Sequence, residues 1–423
     1  MHIVDGFREY RHPFRPAWVA AVAVSGLLLV VPLDAVQQNT PVPEVRALWV
    51  TRTSLTTPVA VAAMVKSAQS GRFNTLLVQV RGRGDAYFNG GYEPRAAALA
   101  SQPDSFDPLA ETLKHAHAQG IRVHAWINIA LVSSAAAPPP SREHMVYRHP
   151  EWLMVPRALA RDMVLIDARS QLYLDKLMRW TRAQRSDVEG LYASPVTEDA
   201  ADATVAVVAD LIARYPVDGV HLDYVRYPNE EFDYSRGALE AFKADTLNGL
   251  DAAARRQQER ALGADLVGWA DAFPNRWREF RCQRLTSLVS RLRESVKARR
   301  PEAVFSAAVA PDAREARTRR FQDWGSWLQR KLLDVVCPMA YATDSTVFSA
   351  QVADARQMAG GRPVWAGIGA YRLSSEQIAE NVQAARRLGA GGSILFSYDS
   401  LTSPSHGPDY LAQVARAAFL VDQ

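Results

Sequence analysis

Cysteine is nearly missing from this chain. Only Cys282 and Cys337 occur among 423 residues, and no C-x-x-C pair carries the spacing of a zinc or redox site. A disulfide framework is therefore excluded. The two thiols read as buried and free, or as a single bridge should they meet in space. No G-x-G-x-x-G turn follows the first apolar run, and R-G-R-G-D at 81–85 does not have that form. This argues against an open dinucleotide-binding sheet. The G-x-S-x-G elbow of serine hydrolases is missing, as is any tight H-E-x-x-H metal spacing. No cofactor and no resident metal is expected. Charge of one sign is scarcely in excess: 49 Lys and Arg oppose 45 Asp and Glu, a net +4 spread along the chain. Nucleic acid is not expected as a partner.

What the chain does contain is ordinary for a globular protein, at 48% hydrophobic and 22% charged residues, which excludes disorder. One long apolar run, Ala17–Leu33, follows a basic flank of Arg8, Arg11, His12 and Arg15. Residues 1–40 thus read as an export signal or a membrane anchor. Ala35 could precede a cleavage site, although Leu33 at the minus-three position is not small. No second run is long enough to span a membrane. Residues 41–423 are expected to work outside the cytoplasm, in the periplasm or beyond the cell, either free or held by that anchor.

Eight short apolar runs punctuate the remainder: Val45–Thr51, Thr75–Arg81, Arg122–Asn128, Gly219–Tyr224, Val304–Ala310, Val335–Tyr341, Val364–Ala370 and Ser393–Tyr398. Near-continuous apolarity marks strands buried on both faces, hence a parallel sheet. Helical patterns lie between them, at Val59–Gln69, from Asp107–Pro108 to Gly120, and at Asn275–Ala298, Phe321–Lys331, Thr346–Met358, Ser375–Leu388 and Leu411–Phe419. Eight strand–helix alternations predict a closed (β/α)8 barrel of the TIM type. Two connections are long, after the third strand and after the fourth; the first contains a Pro-rich turn, Ala137–Pro140, and a further strand-like piece, Glu189–Ala193. Loops on that side of such a barrel shape the binding cleft.

Polar residues concentrate where those strands end. Asp223, in D-G-V-H-L-D-Y-V-R-Y-P at 218–228, is the sharpest candidate. Arg226, three residues on, is expected to pull its pKa down and keep it ionised as a nucleophile or electrostatic stabiliser. Cleaving a glycosidic bond needs a second carboxyl group. Asp344 is the first choice for this general acid and Asp85 its competitor, with Asp399 and Asp312 behind them. Arg81, His124, Trp126, Asn128, His221, Tyr224, Arg226, Tyr341, Tyr371 and Tyr398 are the expected substrate contacts, the aromatic ones by stacking on sugar faces. Two alternatives stay open. One is a carbohydrate-binding barrel without turnover. The other is a metal-dependent hydrolase using His124, His221 and Asp223.

Several stretches resemble glycosyl-hydrolase-like family 10 in its order. They include E-V-R-A-L-W-V-T at 44–51, V-Q-V-R-G-R-G-D-A-Y-F at 78–88, H-A-H-A-Q-G-I-R-V-H-A-W-I-N at 115–128 and V-D-G-V-H-L-D-Y-V-R-Y-P at 217–228. C-P-M-A-Y at 337–341 and G-G-S-I-L-F-S-Y at 391–398 follow. The resemblance covers about residues 44–420. It implies a TIM-type barrel acting on a polysaccharide, such as peptidoglycan glycan strands that lack peptide stems. It places Asp223, Arg226, Arg81, Asp85, Trp126 and Asn128 on the family's motif positions. In one place the chain departs from the pattern: Ile129, Ala130 and Leu131 stand where the family usually has a proline and then Tyr-Arg.

Overall fold

The computed structural model describes residues 43–407 and 409–419; the export-signal reading falls outside them. Eight strands run parallel: β1 (Val45–Val50), β2 (Thr75–Arg81), β3 (Arg122–Asn128), β4 (Gly219–Asp223), β5 (Val304–Val309), β6 (Val335–Pro338), β7 (Trp365–Ile368) and β8 (Gly392–Phe396). Each pairs with its sequence neighbour, and β8 pairs with β1. β6 and β7 meet through two parallel bridges, Val336 to Val364 and Met339 to Gly367. These bridges close the ring into the expected (β/α)8 barrel.

Alternation along the strands divides two apolar cores. Ala47, Trp49, Leu77, Trp126, Cys337, Trp365 and Ile394 pack inside the barrel. Leu48, Val50, Leu76, Val78, Ala125 and Leu222 face the surrounding helices. Helix starts follow local chemistry. Asp107 caps Pro108–His117 by accepting from Ala110 N, with proline in the first turn. Ser374 and Gln377 form a reciprocal capping box on Ser375–Arg387. The helix expected over Phe321–Lys331 is shorter, Trp324–Gln329, and a separate helix, Ala313–Arg320, precedes it. Phe321 adopts a left-handed φ of 54° between them, which an α-helix cannot contain. Both cysteines are buried and free. No helix among the described residues is long and apolar enough to cross a membrane.

The two long connections carry helices of their own. After β3 the chain makes Gln171–Ala183 and Glu198–Arg214. After β4 it makes Arg236–Asn248, Ala252–Leu262 and Leu266–Ala272 before the long helix Pro274–Arg299. The strand-like piece expected at Glu189–Ala193 folds back on the segment after β3. Tyr192 bridges Leu131 and Ala193 bridges Leu153, both antiparallel. That pairing brings Glu189 to the C-terminal face of the barrel.

Candidate active site

A cavity of about 480 Å3 opens at the C-terminal ends of the strands. Its floor and walls include Trp49, Gln79, Trp126, Asn128, Asp223 and Tyr341. Glu189, Tyr224 and Arg226 form one side, and Arg52 and Arg83 the other.

Asp223 ends β4 and is buried. The backbone turns sharply after it, because Tyr224 has a φ of 48°, a conformation uncommon for a residue with a side chain. This turn lets Tyr224 N donate to Asp223 Oδ1 at 2.6 Å. The segment after β3 braces the same corner: Ile129 N donates to the Asp223 carbonyl at 2.8 Å and Ala130 N to that of Tyr224 at 3.1 Å. The unusual Ile-Ala-Leu sequence at 129–131 is thus buried support under the end of β4.

The electrostatics of Asp223 reverse the expectation from sequence. Burial raises its pKa, and the negative Glu189 adds to that; Arg226 and the hydrogen bonds from Tyr224 and Trp126 only partly oppose it. Arg226 makes its ion pair with Glu189, at 3.8 Å, and its guanidinium lies 4.6 Å from the Tyr224 ring centre. Asp223 is therefore biased toward the protonated form.

Glu189 is a carboxylate at the site that sequence reasoning missed, as it did Trp49, Arg52, Gln79 and Arg83. The Glu189 side chain is 47% exposed and accepts a hydrogen bond from the Tyr192 hydroxyl at 3.2 Å. It is the second carboxyl group in the cavity, in place of both expected candidates. Asp344 is exposed and caps the helix Ser345–Met358, accepting from Thr346 N at 2.8 Å and Val347 N at 2.9 Å. Those bonds lower its pKa, the wrong direction for a general acid. Asp344→Ala is expected to lower the melting temperature by about 1–2 °C through loss of the cap while leaving turnover unchanged; a collapse of turnover in a folded variant would return Asp344 to the site. Asp85 accepts from Arg83 N at 2.9 Å and lines a neighbouring cavity beside the Pro-rich turn. Asp399 is bound by Thr51 N, Thr53 Oγ1 and Ser54 Oγ, and Asp312 caps a helix through Glu315 N.

Of the expected substrate contacts, Trp126, Asn128, Tyr224, Arg226 and Tyr341 line the cavity. Trp126 Nε1 donates to Asn128 Oδ1 at 3.1 Å, and Asn128 Nδ2 donates to the Gly82 carbonyl at 2.9 Å. Tyr371 sits on the rim, 47% exposed, with its ring edge-on to Tyr341 at 6.2 Å. Four others are placed elsewhere. A bulge between Gln79 and Arg81 shifts the register so that Arg81 pairs beside the outward-facing Ile127. Arg81 consequently leaves the barrel interior and makes a buried two-pronged pair with Glu93, at 2.6 and 2.7 Å. Tyr398 is buried in the core between strands and helices. His124 and His221 lie deeper in the barrel, fully buried. His221 accepts from Trp49 Nε1 at 3.0 Å and meets Ser306 Oγ at 2.9 Å, so both its ring nitrogens are engaged. Neither imidazole converges with Asp223, and no group of three metal-ligating side chains occurs among the described residues.

An eight-stranded parallel barrel with two carboxyl groups in an aromatic-walled cavity at its C-terminal face has the architecture of the TIM-barrel glycoside hydrolases. The glycoside hydrolase domain of PgaB (BpsB) from Bordetella bronchiseptica superposes with a TM-score of 0.59 at 17% identity, covering 88% of this chain and 98% of that one. Alpha-L-fucosidase isoenzyme 2 from Paenibacillus thiaminolyticus gives 0.57 at 17% identity, over 90% of this chain and 49% of that one. These likenesses establish the fold. The chain belongs to the glycosyl hydrolase-like 10 family, whose model matches residues 44–380. Glycosyl hydrolase DigH of Escherichia coli (strain K12) is 24% identical over 282 residues, 63% of this chain and 54% of that protein. Glycosyl hydrolase YngK of Bacillus subtilis (strain 168) is 20% identical over 302 residues, 66% of this chain and 48% of that protein. The chain thus spans about half the length of these curated relatives.

Proposed function

We propose that this protein is an exported glycoside hydrolase acting on a polysaccharide, with peptidoglycan glycan strands as the favoured substrate. The observation that carries the reading is the pairing of a buried, pKa-raised Asp223 with the half-exposed Glu189 in one cavity of a barrel in this family. Export rests on the apolar run Ala17–Leu33 behind its basic flank.

The two carboxyl groups divide the chemistry. Asp223, protonated, gives its proton to the glycosidic oxygen as the bond to the anomeric carbon breaks. Glu189, ionised, takes a proton from water, whose oxygen forms the new bond to that carbon. The negative Glu189 helps keep the proton on Asp223, a division of roles between neighbouring carboxyls that many glycosidases use. Trp126 and Tyr341 give the cavity aromatic walls against which the sugar would lie.

The test is release of reducing ends from purified peptidoglycan, with and without its peptide stems. Release by wild type supports the reading, whereas glycan binding without any release would make the barrel a binding module. Glu189→Gln is expected to lower kcat by about 100-fold or more. Because Glu189 raises the pKa of Asp223, the alkaline limb of the residual activity should also move to lower pH. A Glu189→Gln enzyme with wild-type kcat and an unshifted limb would remove Glu189 from the mechanism.

A further inference from the structure

We propose that Arg81 and Glu93 are positioning residues, a buried brace outside the catalytic cavity that holds Asp223 in place through the backbone after β3. The inference rests on the glycosidase reading and names two further residues on which the reaction depends.

A β-bulge aims the arginine. On a regular strand Gln79 and Arg81, two residues apart, would share a face. The register shift between them leaves Gln79 in the catalytic cavity and sends Arg81 out of it. Arg81 and Glu93 instead line a separate cavity of about 510 Å3. The loop after β2 delivers Glu93 and is stapled at Ala86: Ala86 N donates to the Pro94 carbonyl and Ala96 N to that of Ala86, both at 2.9 Å. The side chains of Arg81 and Glu93 are only 2% and 9% exposed, so water screens neither charge.

The guanidinium divides its donors. Nε and Nη2 hold the Glu93 carboxylate at 2.7 and 2.6 Å. Nη1 donates to the Asn128 carbonyl and, at 3.2 Å, to that of Ile129. Each of these carbonyls belongs to a planar peptide unit whose N–H points the opposite way. The Asn128 carbonyl shares its unit with Ile129 N, which donates to the Asp223 carbonyl. The Ile129 carbonyl shares its unit with Ala130 N, which donates to the Tyr224 carbonyl. One cation thus grips both peptide units that hold the corner bearing Asp223. A charge-assisted bond at a carbonyl polarises the peptide and strengthens the bond its N–H makes. The corner needs this support, because the left-handed turn at Tyr224 persists only where its surroundings over-determine it. The groups that face the Asp223 carboxyl are Arg226, Tyr224, Glu189, Trp126 and Tyr341. Arg81 and Glu93 are not among them and reach it through the backbone.

The experiment replaces both members at once. Removing one alone strands the other's charge in the interior, whereas a buried ion pair exchanged for apolar residues of similar volume commonly keeps the fold. Arg81→Met/Glu93→Leu also leaves the net charge unchanged. Two readings are taken: kcat and KM for reducing-end release from stem-free glycan strands, and the titration of the Asp223 carboxyl carbon by NMR, assigned by its absence in Asp223→Asn. In the folded double variant kcat should fall at least about tenfold while KM stays within about twofold. The Asp223 carboxyl, held above the usual carboxylate range chiefly by burial, should titrate at lower pH as water reaches it. Arg81→Lys, whose single ammonium cannot serve the carboxylate and both carbonyls together, should show an intermediate loss in both readings, and it carries the test if the double variant does not fold. Wild-type kcat, a rise in KM alone or an unmoved titration in the folded variant overturns the brace and leaves the glycosidase reading intact. A titration that moves in a protein whose wild type releases no reducing ends upholds the brace and overturns the glycosidase reading.

Discussion

Asp223→Asn is expected to abolish glycan cleavage, by about three orders of magnitude or more in kcat, in a protein that remains folded. The amide oxygen can still accept from Tyr224 N, so the strand corner keeps its geometry, but no proton is available for the leaving oxygen. The same substitution should not destabilise the protein at alkaline pH. Burial raises the pKa of Asp223 in the folded state, so wild type loses stability as pH climbs from the unfolded-state value through the raised one, and the neutral amide is spared that loss. Wild-type activity should likewise disappear as pH rises through the raised pKa. Reducing-end assays and denaturant titrations across pH test both parts. Full activity in Asp223→Asn, or a stability penalty that grows with pH, would refute the assignment.

Acid should weaken the barrel from within. Burial lowers the pKa of His124 to about 4 and that of His221 to about 3, against about 6.5 in an unfolded chain. Between these values the unfolded chain binds protons that the folded one refuses. The contribution to stability is therefore fully present above pH 6.5 and falls as pH drops toward 4. At about 1.4 kcal/mol per pH unit, that interval represents roughly 3 kcal/mol for His124 alone. His124→Leu separates the two imidazoles, because neither ring nitrogen of His124 has a hydrogen-bond partner, and removing them leaves no buried group stranded. This variant should match or exceed wild type at pH 7 and outlast it increasingly below pH 6.5. Parallel stability–pH curves for the two proteins would show that His124 titrates freely in the folded state.

The fold was legible because all eight strands are apolar runs of strand length separated by helical periods. The site was legible only in part. Asp223, Trp126 and Asn128 stand at the last turns of strands whose ends the pattern marks well. Depth along a strand is harder to read: His124 and His221 lie in the same runs as Asn128 and Asp223, yet a few residues of rise carry them below the mouth. The facing of Arg81 depends on a bulge that apolar continuity conceals. Asp344 and Asp223 both follow apolar runs, but β6 stops at Pro338, so Asp344 falls beyond the strand at a helix start. Glu189 escaped notice because it is held by pairing between distant segments, Leu131 with Tyr192 and Leu153 with Ala193, which no local periodicity announces. The strand-like piece it begins was the available signal.

The placement of Glu189 also bears on how such a barrel diversifies. Its partner carboxyl is welded to the wheel of strands, whereas Glu189 arrives on the excursion between β3 and β4. In the proposed mechanism, one half of the carboxyl pair belongs to the chassis and the other to an interchangeable part. Remodelling that excursion can reset the gap between the two carboxyls, and with it whether the released sugar keeps or inverts its configuration, without a single change in the ring itself.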